Sequence, residues 1–94
     1  MNKDDKYIQL YKDLEEAIHK YRQENFAKTG KPTPPTIILI HPETMINIVI
    51  AMRADLPLVL GCSIVRNRET GKYSIQNIKI IQTFDIEPNT FELI

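Results

Sequence analysis

One unbroken helical pattern over the first thirty residues limits what this chain can fold into. Apolar residues recur there at alternating steps of four and three, which places them on one stripe of a helix. The stripe consists of Tyr7, Tyr11, Leu14, Ile18 and Tyr21. The opposite side carries charges of alternating sign at every fourth residue, which is typical of a helix surface in water. These charges are Lys12, Glu16, Lys20, Glu24 and Lys28.

A helix over residues 1–30 needs a partner for its apolar stripe. A coiled-coil seam is one option, but the pattern lasts little more than two heptads and puts Asn25 at the next seam position. We therefore expect the helix to pack on the protein's own sheet. Gly30 and Pro32 end the helix, and residues 31–35 form a stiff, proline-rich connector.

A short apolar run, Thr36 to Ile40, follows the connector. Such a β-branched run is typical of a strand covered on both faces, so we expect a central strand. Pro42 and Glu43 then predict a second helix that begins after His41 and runs to about Ala54.

The second helix is apolar over more than half of its circumference. The apolar arc consists of Met45, Ile46, Ile48, Val49, Ile50 and Met52, and the wet edge of Glu43, Thr44, Asn47 and Ala51. An arc this wide needs cover on both sides, which favours self-association in so small a chain.

The remaining sequence has the pattern of strands. We expect a hairpin with arms Leu58–Arg66 and Tyr73 to about Phe84, joined by a turn that contains Gly71, and a last strand from Thr90 to Ile94. Adjacent Ile80 and Ile81 indicate either burial on both faces or a bulge. The fold predicted for residues 1–94 is a single α+β domain, in which two helices pack on a mainly antiparallel sheet of about four strands.

Charge and composition narrow the classes of partner. Lysine plus arginine equals aspartate plus glutamate at 12 each, so we do not expect a duplex nucleic acid as the partner. We expect no secretion signal and no membrane span, because the amino terminus is polar and the apolar runs are short. The lone cysteine, Cys62, fits a reducing cytoplasm, and its place between Leu60 and Ile64 predicts a buried residue.

His41 is the best candidate for a functional side chain, because it follows the carboxyl end of a predicted strand. Glu43 is close enough in sequence to join it, but no nucleophile stands in a fixed relation to them. Beginning the helix is the simpler role for His41. The histidines and the cysteine lie far apart, and only 3 glycines occur. We therefore expect no enzyme, metal or cofactor; a small enzyme or ligand-binding domain that uses His41 is an alternative.

A small regulator that contacts nucleic acid is the other alternative. Tyr73 lies next to Lys72 and near Arg66 and Arg68, which is the closest approach in this chain to a base-stacking aromatic among basic residues. A single tyrosine in a hairpin more often packs against its own sheet.

Several short motifs resemble one family. The charged first helix, the connector Gly30–Pro35, the segment His41–Thr44 and the segment Glu87–Phe91 resemble small uncharacterised proteins of staphylococcal and related tailed phages and prophages. The resemblance implies a phage-encoded protein in the host bacterial cytoplasm or in the virion, and it carries over no catalytic residue.

The order of a strand, the helix that begins at His41–Glu43 and a strand at Leu60–Gly61 is also similar to a segment of tailed-phage capsid and other virion proteins. Those segments assemble through protein contacts, although 94 residues are too few for a complete shell protein. We therefore expect a non-enzymatic interaction or assembly protein that binds a phage or host protein and forms a homo-oligomer.

Overall fold

The computed structural model describes residues 3–53 and 63–94. In chain order, the elements are α1 (Lys3–Thr29), β1 (Ile37–Ile40), α2 (Pro42–Met52), β2 (Ile64–Arg66), β3 (Tyr73–Ile75), β4 (Ile78–Gln82) and β5 (Phe91–Leu93). The predicted α+β class is confirmed. No helix in these two ranges combines the length and apolarity that crossing a membrane requires.

The sheet has five strands in the order β2-β3-β4-β1-β5, one more than predicted. The pair β1 and β4 is parallel, and the other three pairs are antiparallel, which confirms a mainly antiparallel sheet. β1 has a neighbour on each side, as a central strand should. Its parallel pairing requires a long connection from β1 to β4, which contains α2 and the β2–β3 hairpin.

The helix α1 follows the prediction closely. Tyr11, Leu14 and Ile18 from its apolar stripe are buried in the same core as residues of α2 and the sheet. The charged side is exposed, and Glu16 and Lys20 form an ion pair of 3.4 Å on it. The stripe is therefore covered by the chain's own α2 and sheet.

Both helices lie on one face of the sheet, because the buried side chains of all these elements belong to one cluster. The sheet contributes alternate residues to it, which are Ile38, Ile40, Ile64, Ile75, Ile78 and Ile80. The prediction that β1 is covered on both faces is wrong: Ile38 and Ile40 are buried, whereas Ile37 and Leu39 are only half-buried. The apolar run alone could not show that α1 and α2 would share one face.

The predicted second arm of the hairpin, Tyr73 to Phe84, is in fact two strands. Gln76 and Asn77 both have positive φ, 49° and 65°, as the central residues of a type I′ turn do. The turn allows Ile75 to pair with Ile78. Of the predicted first arm, residues 64–66 form β2, and residues 58–62, with Cys62, lie outside the described residues.

Two further predictions concern β4 and α2. Ile80 and Ile81 pair in regular register with Ile38 and Leu39, so the described ladder has no bulge there. Ile80 is buried and Ile81 is 41% exposed, so burial on both faces is also wrong. The helix α2 ends at Met52, close to the predicted end, where Arg53 adopts a left-handed conformation and caps the helix.

Candidate functional site

The carboxyl ends of the parallel strands meet at one edge of the sheet. His41 follows β1, and Phe84 lies two residues beyond β4. The N–H of Thr83 donates to the carbonyl of Ile40 at 2.9 Å, which extends the pairing of these strands by one residue. The rings of His41 and Phe84 then meet edge to face, with centroids 5.3 Å apart.

His41 begins α2. It has extended backbone angles, and its Nδ1 accepts a hydrogen bond of 3.1 Å from the N–H of Glu43. Pro42 follows in the first turn, where its missing N–H leaves no partner unsatisfied. The ring nitrogen therefore replaces the side-chain oxygen that usually caps a helix. This geometry supports the simpler role for His41, the start of the helix.

Glu43 lies two residues after His41, and no described hydrogen bond or ion pair involves its carboxylate. The side chain is exposed, and only its backbone N–H contacts the imidazole. Within residues 3–53 and 63–94, no group of three His, Cys, Asp or Glu side chains could hold a metal ion. His41 and Glu43 thus share a helix start, with no second acid, base or nucleophile joined to them by a described hydrogen bond.

Thr44 departs most from the sequence prediction. It was expected on the wet edge of α2, yet it is buried, and its hydroxyl accepts a hydrogen bond of 2.7 Å from the N–H of Asn89. The reason is topological: the chain leaves β4, crosses the carboxyl end of β1 and the start of α2, and returns as β5 on the far side of β1. No periodicity in α2 could reveal that crossing.

The basic residues of the hairpin are only partly brought together. Tyr73 packs against the core with a half-buried ring. Arg66 lies across the turn, since a Cβ on Gly71 would be 3.7 Å from its guanidinium. Arg68 is exposed in the turn. No ion pair of either arginine is found among the described residues.

A cleft of about 680 Å³ opens between β3 and β4, whose pairing extends only from Ile75 and Ile78 to Ser74 and Lys79. The side chains that give it its chemistry are Asn67, Lys72, Tyr73, Ser74, Lys79 and Ile81. Sequence reasoning grouped Lys72 and Tyr73 but missed Lys79, because only the turn at Gln76 and Asn77 brings β4 beside β3.

The two groups of candidate residues, those around His41 and those around Tyr73, lie at the same edge of the sheet. β1, β2 and β4 run in one direction, and β3 runs in the other, so His41, Arg66 and Tyr73 all lie near that edge. The strand β4 separates His41 from the hairpin. No hydrogen bond or ring contact in the described part of the chain joins His41 or Glu43 to the hairpin residues.

The sheet face that points away from both helices carries a second kind of site. Its centre is formed by alternate residues of β1, β4 and the β5 end, which we call the open-face patch: Ile37, Leu39, Lys79, Ile81, Glu92 and Ile94. Ile94 belongs to it because its N–H donates to the carbonyl of Ile37 at 3.0 Å, which continues the register of β5. Ile81 is 41% exposed and Ile94 is 52% exposed.

Comparison with known proteins identifies no relative of this chain. No protein-family model matches the chain, and neither a curated protein nor a solved structure matches it.

Proposed function

We propose that this chain is a non-enzymatic protein-interaction module that binds its partner through the open-face patch. The resemblance of its motifs to proteins of tailed phages and prophages supports a phage-encoded accessory or assembly protein, active in the host bacterial cytoplasm or in the virion. The observation that carries the interaction role is the face of the sheet that no described helix covers, with four large aliphatic residues at its centre.

Burial of these side chains would stabilise a complex. Apolar surface removed from water contributes about 25 cal/mol per Å², and a contiguous exposed apolar patch is typical of an interaction site. Ile37, Leu39 and Ile81 stand side by side on two paired strands, so one flat partner surface can cover all three. Lys79 and Glu92 at the margins can give the contact its orientation.

The non-enzymatic part of the proposal is supported by the geometry at His41. Its Nδ1 accepts the N–H of Glu43, and its ring contacts Phe84. Helix capping and ring packing together account for an imidazole at this position.

A capture experiment with matched variants tests the interaction role. Tagged wild-type protein, Ile81→Lys and Ile50→Lys are each incubated with the same lysate of phage-infected bacteria, and bound proteins are quantified by mass spectrometry. Ile50 is the comparison residue because it is an exposed isoleucine in the apolar arc of α2, so its variant shows whether that arc, and not the open-face patch, binds the partner. We expect Ile81→Lys to lose partners that wild type and Ile50→Lys retain. Equal capture by all three would contradict the proposal.

A second candidate function is contact with single-stranded nucleic acid at the cleft. Lys72 and Lys79 line it with Tyr73, and none of the described lining residues is acidic. Phosphates are attracted to such a surface, although the half-buried ring of Tyr73 limits base stacking.

Fluorescence anisotropy of a labelled oligonucleotide at low salt tests this candidate. The variant Lys72→Ala should weaken binding and reduce its salt dependence, whereas Lys12→Ala on the exposed side of α1 should not. Absence of binding by the wild-type protein at low salt would rule the candidate out.

A further inference from the structure

We infer that the open-face patch binds a second copy of this chain, face to face, around a two-fold axis that lies between the two sheets. This inference rests on the proposed function and specifies its partner. It follows from the positions of the two charged residues within the patch.

The patch is a grid of two rows across three strands. In one row Ile81, Leu39 and Glu92 are neighbours, and in the other Lys79, Ile37 and Ile94 are neighbours. Lys79 and Glu92 therefore occupy diagonally opposite corners of the grid. Ile81 and Ile94 occupy the other two corners. Lys79 and Glu92 are separated by two strand spacings across the sheet and by two residues along the strands, which amounts to roughly 12 Å, and β1 lies between them.

This grid is complementary to itself. When one copy is turned over about the diagonal that joins Ile81 and Ile94, the Lys79 corner of each copy faces the Glu92 corner of the other. The interface then has two identical ion pairs, as the shared patch of a two-fold dimer requires. Packed sheets lie roughly 10 Å apart, a distance that a lysine and a glutamate side chain can span together.

The centre of such an interface is apolar. Ile37 and Leu39 of one copy meet the same residues of the other, and Ile81 and Ile94 lie beside them. Turning one copy over about an axis perpendicular to the strands would instead set Lys79 against Ile81 and Glu92 against Ile94. That orientation desolvates charges without partners, which is unfavourable. The positions of the charges thus favour the first orientation over this one.

The two charges are available for this role. Both side chains are exposed, and no described ion pair involves Lys79 or Glu92. The chain also has the same number of basic and acidic residues, 12 each, so its two copies do not repel one another through net charge. A small protein gains from such burial, because its own core covers a limited share of its surface.

Charge reversal tests the inference by sedimentation equilibrium up to high micromolar concentration. Wild type should dimerise, and Lys79→Glu and Glu92→Lys should each weaken the dimer at least about tenfold, because each places like charges together twice. An equimolar mixture of the two variants should form a heterodimer with wild-type affinity, since both ion pairs then reform, one in its native form and the other with its charges exchanged. The variant Lys12→Glu, on the exposed side of α1, is the control for the change in net charge.

Rescue in the mixture shows that both variants fold. A dimer that neither reversal weakens, or a mixture that stays monomeric, would overturn the face-to-face arrangement. Wild-type protein that stays monomeric at the highest concentration would overturn self-docking altogether. The proposed function would fail separately, and only if Ile81→Lys left the captured proteins unchanged.

Discussion

The two faces of the sheet have similar side chains but different surroundings. On the covered face, Ile38 and Ile80 are neighbours and are buried beneath the helices. On the open face, Leu39 and Ile81 are neighbours at the next position along the same strands, and Ile81 is 41% exposed. Hydrophobicity alone therefore does not distinguish a core residue from an interface residue in β1 and β4. The two faces differ in exposure because both helices pack on the same face.

The largest expected effect compares adjacent residues of β4. Replacement of Ile80 by Ala should lower the free energy of unfolding by about 2–5 kcal/mol, because it leaves a cavity in the core. Replacement of Ile81 by Ala should lower it by about 1 kcal/mol or less, because much of that side chain is already in water. Urea denaturation at a concentration where the protein is monomeric measures both. Equal losses would mean that the open face is covered within one chain.

At the edge of the covered face, the buried hydroxyl of Thr44 accepts a hydrogen bond from the segment that crosses between β4 and β5. Thr44→Val should lower the free energy of unfolding by about 1–3 kcal/mol, because the N–H of Asn89 loses its acceptor next to a buried side chain. Thr44→Ser keeps the hydroxyl and should recover most of the loss in the same denaturation experiment. If valine and serine gave the same stability, the crossing segment would not be held by this hydrogen bond.

The start of α2 lies at the edge of the sheet, where the covered face and the open face meet, and His41 caps it. His41→Ala should lower stability by about 0.5–2 kcal/mol, because the N–H of Glu43 loses its acceptor. His41→Asn supplies a good capping acceptor and should restore most of that loss. Thermal unfolding followed by circular dichroism distinguishes the variants. Failure of asparagine to restore stability would point to the contact with Phe84 as the larger contribution.

The smallest effect concerns the turn that brings β4 beside β3. Gln76 has a φ of 49°, which is unfavourable for a side chain with a Cβ. Gln76→Gly should raise the free energy of unfolding by up to about 1 kcal/mol, since glycine adopts this conformation without that penalty. Gln76→Val is the opposing variant and should lower stability. A loss of stability with glycine would contradict a type I′ turn.

Sequence reasoning succeeded where contacts are local in the chain. The stripe through Tyr11, Leu14 and Ile18 predicted α1, and Pro42 predicted the start of α2. It missed the turn at Gln76 and Asn77, because glutamine is not a usual turn residue at positive φ and the flanking residues read as one long strand. It also misplaced Thr44, whose partner Asn89 lies 45 residues away.

The sequence by itself determined the α+β class, the span of α1 and the beginning of α2, because helix periodicity and capping act over a few residues. Only the tertiary structure decided which side of each strand is buried, which loop covers Thr44, and that Lys79 and Glu92 lie at opposite corners of one patch. Those outcomes depend on strand order and on the face that both helices occupy. Both are set by contacts between residues far apart in the chain, which no local pattern records.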